Sequence, residues 1–343
     1  MLEKFFLFCL KKIPPEISHK IVILLLRFGL NKKKKLKLNK NLAINLFGHK
    51  LSHPIGLAAG FDKNAEALKG LIKLNFSFIE VGTVTPKAQT GNKKPRVFRF
   101  NKDETIFNSL GFPNKGAIKI LKNLNKLRKH HKLGKEPLIG VNIGYNKYSS
   151  DPIRDYVICL NIFFKVADYI SVNISSPNTP GLRNFQNKEK LIELLTKVNN
   201  KKMYLEKKNK RKMPLAVKIS PDINKNGIET IFFICKKFKC DAIIATNTST
   251  NKKLFSKNNI KSKQGGLSGE GLFNYSNSAL KKLKLISNNT IKIIGVGGIN
   301  SYSKANKKLE LGASAVQVYS GLIFKGPNLI FNMLKEFNLK KNN

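Results

Sequence analysis

The stretch DYISVNISSPNTPG (168–181) begins as a strand and finishes in a loop crowded with polar groups and two prolines. Its first half is β-branched and nearly continuous in apolar residues, as a parallel strand buried on both faces requires. A strand that only fills a core has no use for Asn173, Ser175, Ser176 and Asn178 at its end. One that carries chemistry at its C-terminal end does.

Seven other runs have the same character. They are HPIGLAAG (53–60), FIEVGTV (78–84), LIGVNIG (138–144), LAVKIS (215–220), AIIATN (242–247), IKIIGVGG (291–298) and AVQVYSG (315–321). Amphipathic stretches such as NKEKLIELLTKVNN (187–200) and NSALKKLKLI (277–286) separate most of them. Eight such units predict an α/β fold, a (β/α)8 TIM barrel, in preference to a doubly wound open sheet. The long connections 85–137 and 248–290 are expected to form lids or walls of a site. KKMYLEKKNKRK (201–212) reads as a solvated helix end and loop.

The N-terminal MLEKFFLFCLKKIPPEISHKIVILLLRFGL reads as two short apolar or amphipathic segments joined at Pro14-Pro15, followed by the cationic tract NKKKK (31–35). Apolar helices beside a basic tract suit the surface of an anionic membrane. No run reaches the roughly 18 apolar residues of a membrane span. The expected division is therefore a helical membrane-association segment at 1–38 and a barrel at 39–343.

Of the 343 residues, 41% are hydrophobic, enough for a large core; 64 Lys and Arg stand against 20 Asp and Glu, a net charge of +44. Such a charge raises the prospect of nucleic acid as partner. The lysines are spread along the chain, however, and aromatics do not interleave with them as a base-stacking platform requires. No nucleic-acid partner is expected. Cys9, Cys159, Cys235 and Cys240 form no CxxC pair and read as free, buried thiols. The five histidines show no ligand spacing, so no metal is expected.

Nearly every strand ends on a polar residue or glycine, which implies one shared site. Lys63 follows the first strand, Thr83 ends the second, Asn142 lies in the third, Lys218 in the fifth, and Thr246-Asn247-Thr248 end the sixth. GVGGIN (295–300), VYSG (318–321) and the glycine-rich loop GGLSGEG (265–271) read as a phosphate cradle. The set contains lysines, amides and hydroxyls but no catalytic triad. It points to redox chemistry on FMN, where a strand-5 lysine offsets electron density arriving on the flavin ring.

With these residues assembled, the sequence resembles the dihydroorotate dehydrogenase family, specifically its membrane-associated, quinone-dependent class. GLAAGFDKN, EVGTVTP, NSLGF, VNIG, NISSPNTPGLR, VKISPD, ATNT, GGLSG, IIGVGGI and VYSGLIFKGP occur in the family's order over nearly the whole chain. The resemblance implies oxidation of dihydroorotate to orotate in UMP biosynthesis, with FMN as hydride acceptor and a membrane quinone as final oxidant. FMN would touch Ala59, Gly60, Lys63, Thr83, Asn142, Asn173, Lys218 and Thr246, with Gly269, Gly298, Tyr319 and Ser320 around its phosphate. Dihydroorotate would be held by Lys63, by Asn108, Ser109, Leu110, Gly111 and Phe112, and by Asn173, Asn178, Asn247 and Thr248.

Ser176 would be the general base that takes the C5 proton. Ser175 competes, and strand alternation allows only one of the two to face the flavin; the family match selects Ser176. The soluble classes of the family carry cysteine here, so this serine and the N-terminal segment select the quinone-dependent class over one using fumarate or NAD. His19 and Arg99 match positions lining the quinone site. The resemblance further implies a monomer, peripheral on the cytoplasmic face of the bacterial cell membrane, with NKKKK against lipid headgroups. The chain departs from the family in its larger positive charge and short N-terminal segment.

Overall fold

In a computed structural model, which describes residues 2–254 and 264–340, the eight predicted runs close into one parallel barrel. The chain opens with helices α1 (Leu2–Lys12) and α2 (Pro15–Phe28). Pro15 stands at the first helical position of α2, where its missing N–H costs nothing, and Gly29 ends the helix in the left-handed region at φ 65°. Residues 29–39 then run without regular structure to the barrel. Asn338 fastens them, accepting from the Asn39 N–H and donating to the Lys37 carbonyl.

A hairpin of β1 (Ile44–Leu46) and β2 (His49–Leu51) comes next, which the sequence reading did not anticipate. It plugs the N-terminal mouth of the barrel: Leu46 and Leu51 are buried, and Phe47 stacks on Tyr169 with centroids 4.1 Å apart. The barrel and its connections follow as β3 (Ile55–Leu57), α3 (Leu68–Leu71), β4 (Phe78–Val84), β5 (Val97–Phe100), β6 (Thr105–Asn108), α4 (Ala117–Arg128), β7 (Leu138–Ile143), α5 (Pro152–Phe163), β8 (Tyr169–Asn173), α6 (Lys188–Asn209), β9 (Leu215–Ile219), α7 (Lys225–Lys237) and β10 (Ala242–Ala245). The chain completes it with β11 (Gly266–Gly269), α8 (Phe273–Ser287), β12 (Lys292–Val296), α9 (Tyr302–Glu310), β13 (Ala315–Val318), α10 (Ser320–Lys325) and α11 (Leu329–Lys340). The strands pair in the cyclic order β3-β4-β7-β8-β9-β10-β12-β13. Each lies beside its predecessor in the chain, as right-handed βα crossovers demand.

Two readings change. GGLSGEG is not a free glycine loop: its first half is β11, antiparallel to β6 with Gly266 opposite Asn108 and Gly269 opposite Thr105. Leu267, buried against Phe107, anchors it, and β5 completes a three-stranded sheet over the barrel mouth. The long connections thus become a wall with its own hydrogen bonds; residues 255–263 of the second lie outside those described. The lysine-rich segment at 201–212 is a helix end and loop as expected, with α6 running to Asn209. Cys9 is exposed while the other three cysteines are buried, since it lies on the outer side of α1.

Candidate active site

A cavity of about 1220 Å³ opens at the C-terminal ends of the barrel strands, between them and the α1–α2 pair. Its inner part is polar. Lys218 reaches it from β9, buried, and among the described residues no protein acceptor bonds its ammonium. Burial lowers the Lys218 pKa, and the carboxylate of Glu80 opposes that shift. Glu80 is itself fully buried in β4, accepting from the Asn142 amide at 2.8 Å, the Gln317 amide at 3.0 Å and the Tyr169 hydroxyl at 3.2 Å. So bonded, Glu80 is the charge partner of Lys218 inside the barrel.

Thr83, Asn142, Asn173 and Asn247 form one network. Thr83 Oγ1 donates to Asn142 Oδ1 at 2.6 Å, and Asn173 Nδ2 donates to Thr83 Oγ1 at 3.0 Å. Asn142 stands behind Thr83 and Asn173 rather than on the cavity wall. Ser109 is likewise off the wall, its N–H given to the Arg96 carbonyl and its own carbonyl accepting from Asn92. The other sequence-predicted site residues line the cavity.

The two serines separate clearly. β8 ends at Asn173, so strand alternation does not govern residues 175 and 176. Ser175 is turned inward, its hydroxyl donating to Asn173 Oδ1 at 2.9 Å and accepting from Asn247 Nδ2 at 2.9 Å. Ser176 lines the cavity, its Oγ accepting only the Asn178 N–H at 3.2 Å. Around it, Asn178 Oδ1 and Thr248 Oγ1 are buried without partners, as is Gln317 Oε1 nearer the barrel axis. Orphaned atoms of this kind need a ligand or water. Lys63 Nζ donates to the Gly60 carbonyl at 2.7 Å, and burial lowers its pKa to about 8 despite Glu16, so it remains cationic at neutral pH.

At the other end of the polar part, the Gly297-Gly298 turn (φ 105° and 72°) lies on the first turn of α8. A Cβ on Gly298 would sit 2.5 Å from Phe273 Cβ, so only glycine fits. Gly269, Tyr319 and Ser320 adjoin it on the cavity wall. Positive φ, exposed backbone and hydroxyls make this a fit place for a phosphate.

Toward α1 and α2 the lining turns apolar, with Phe5, Leu10, Val22, Ile23 and Leu26 among its residues. His19 meets Phe61 edge to face at 5.2 Å, and Phe61 meets Tyr319 at 6.1 Å. Burial, with Lys63 adding repulsion, lowers the His19 pKa to about 3, so its ring is neutral. Arg99 stands on β5. Its guanidinium donates to the carbonyls of Leu10, Lys11 and Ile13 at the end of α1, leaving Nε buried and unpartnered. Arg96, which the sequence reading passed over, clasps α2 through Glu16 at 3.0 Å. Glu80 and Gln317 were missed too. Glu80 is the one charged residue of its strand and Gln317 the one polar residue of its own, a signal that was legible.

A closed parallel barrel whose strand ends surround a buried lysine, an amide network and a glycine turn fit for a phosphate, reached through an apolar throat, is the architecture of a barrel oxidoreductase. The family model described as "Dihydroorotate dehydrogenase" matches residues 41–340. The chain is 41% identical over 322 residues to the dihydroorotate dehydrogenase (quinone) of Bartonella tribocorum, covering 94% of this chain and 88% of that one. It is 38% identical over 324 residues to the mitochondrial dihydroorotate dehydrogenase (quinone) of Mus musculus, covering 94% and 82%. The solved structure of ligand-free DHODH from Eimeria tenella superposes with a TM-score of 0.89 at 34% identity, covering 96% of this chain and 95% of that one. The chain belongs to the dihydroorotate dehydrogenase family.

Proposed function

We propose that this protein oxidises dihydroorotate to orotate in pyrimidine biosynthesis, with FMN as resident cofactor and a membrane quinone as final oxidant. The observation that carries it is the meeting, in one cavity, of Ser176, the buried Lys218 ammonium with no hydrogen-bond acceptor among the described residues, and an apolar throat between two N-terminal helices. FMN, when bound, supplies the acceptor for the hydride leaving C6 and hands the electron pair on to quinone.

The chain's own residues do the rest. Lys218, Thr246, Ala59 and Gly60 would hold the flavin ring and Gly269, Gly298, Tyr319 and Ser320 its phosphate. Lys63 meets the substrate carboxylate as a cation. The orphaned Asn178 Oδ1 and Thr248 Oγ1 accept ring N–H groups, within the wall formed by Asn108 and Leu110 to Phe112. Ser176 Oγ takes the C5 proton as its own passes on, and the Asn178 N–H stabilises the charge that develops on it. Asn142 and Ser109 act one layer back, holding Thr83 and Asn173 and the NSLGF loop in place.

The throat is the route for quinone, with neutral His19 and the free Arg99 Nε as its polar contacts. Phe5, Phe8, Leu24 and Phe28 are exposed on the helical pair, and Leu30 just beyond it. We place them in a lipid surface, with Lys32 to Lys35 against anionic headgroups at the cytoplasmic face. No helix of the described residues is long and apolar enough to cross a membrane. The working unit we propose is a monomer carrying one FMN.

The test is the visible spectrum of the purified protein before and after anaerobic addition of dihydroorotate. A yellow protein that bleaches is expected. A yellow protein that stays yellow removes the substrate, and a colourless one that takes up no added FMN removes the cofactor.

A further inference from the structure

Among the buried ionisable groups, Lys308 has no part in the chemistry above. It lies on α9, fully buried, with its stem against Gly295 of β12. Its ammonium donates to Ser276 Oγ and to Asn277 Oδ1, both at 2.8 Å, and stands 5.2 Å from the centre of the Phe273 ring. All three partners are neutral. No acid among the described residues pairs with it, whereas Lys304, one helical turn away, is paired with Glu270. Burying an ammonium without a counter-ion is costly, and the N-terminal turn of a helix, already the positive end, is a poor place to put one.

Its position supplies a reason. Ser276 donates to the Phe273 carbonyl at 2.9 Å and approaches the Gly297 carbonyl at 3.4 Å. A Cβ added to Gly297 would lie 2.7 Å from Ser276 Oγ, and one on Gly298 would lie against Phe273. The lysine is thus bonded to one of the two residues that directly underlie the glycine turn, Ser276, and its ammonium faces the ring of the other, Phe273. The face of that turn away from Lys308 lines the cavity.

We propose that Lys308 is a positioning residue for the cofactor phosphate: its buried charge sits behind the Gly297-Gly298 turn as the counter-charge to a phosphate dianion in front of it, acting through Ser276 and the first turn of α8. The proposal rests on the FMN reading above. It accounts for the missing acid, since the anion arrives with the ligand, and for the neutral oxygens that fix the ammonium without neutralising it. Burial alone lowers the lysine's pKa to about 7, and a nearby dianion restores its charge.

The experiment separates phosphate from flavin. The full chain is loaded with FMN or with riboflavin, which lacks the phosphate, and the affinity for each is read from recovery of flavin fluorescence on dilution. Two variants are compared with the natural sequence. Lys308→Met removes the charge and keeps the bulk. Asn277→Asp keeps the lysine and its hydrogen bonds but places a carboxylate beside it, and it serves if the first variant fails to fold. The preference for FMN over riboflavin is expected to fall roughly tenfold or more in both, with riboflavin affinity unchanged. If either folded variant keeps the natural preference, or if both flavins weaken equally, Lys308 only packs the helices and the proposal is overturned. If the natural sequence binds neither flavin, or both alike, the FMN reading fails first and takes the inference with it.

Discussion

Ser176 shows what one residue's surroundings decide. Two adjacent serines have the same chemistry, but Ser175 is spent inside the network of Asn173 and Asn247 while Ser176 faces the cavity with one N–H pointed at its oxygen. Ser176→Ala should therefore leave FMN bound and slow flavin reduction by dihydroorotate roughly 10²–10⁴-fold, the usual worth of a positioned base. Stopped-flow bleaching of the flavin measures it; bleaching at the natural rate would remove Ser176 as base. The same distinction holds for cations. Lys218 and Lys308 are both buried, but Lys218 has Glu80 to balance it and Lys308 has only neutral oxygens.

Among the elements, the α1–α2 pair is bound to the barrel by two arginines from one segment. Arg96 holds Glu16 of α2, and Arg99 gathers the carbonyls that end α1. Such carbonyls have no partner within their own helix, so a guanidinium is an apt clasp. Arg99→Leu should loosen α1 and remove the free Nε. The KM for a ubiquinone analogue should rise roughly tenfold to a hundredfold, the worth of a charge-assisted hydrogen bond. The rate of flavin reduction by dihydroorotate should stay unchanged. Steady-state quinone kinetics beside single-turnover bleaching checks both, and an unchanged KM would place quinone elsewhere. β5, β6 and β11 make the same point about local patterning. Each is short; β5 and β6 pair locally, but β11 is half glycine and reaches β6 across more than 150 residues, so no local period announced the sheet.

For the whole molecule, burial of ionisable groups sets the response to pH. His53 is buried, its Nδ1 accepting the Ile55 N–H at 3.2 Å, and burial lowers its pKa to about 3. The unfolded chain takes up the proton near the ordinary value of 6.5, so stability is lost as pH falls from there toward 3, at about 1.4 kcal/mol per pH unit. Buried His19 acts in the same direction; Asp62, raised to about 6 by burial, acts in the opposite one. His53→Asn keeps an acceptor for Ile55 and removes one titration. Between pH 7 and pH 5 the natural sequence should lose about 2 kcal/mol more than this variant, as read from urea melts at each pH. Parallel losses would mean that His53 is protonated in the folded state.

The sequence by itself determined the barrel. Eight apolar runs with polar ends survive as eight strands in chain order, because burial on both faces writes itself into each run locally. Strand position also brought the polar strand ends to one cavity, and the family resemblance named the other residues that line it. The tertiary structure alone decided which serine faces the cavity, that Asn142 and Ser109 stand behind the wall, that a glycine-rich stretch is a strand, and that Arg99 clasps a helix. Each of these depends on a partner far away in the chain: Asn247 for Ser175, Glu80 for Asn142, Phe107 for Leu267, Ile13 for Arg99. A sequence displays its periodicity residue by residue, but direction and pairing exist only once closure of the barrel has brought distant side chains within hydrogen-bonding distance.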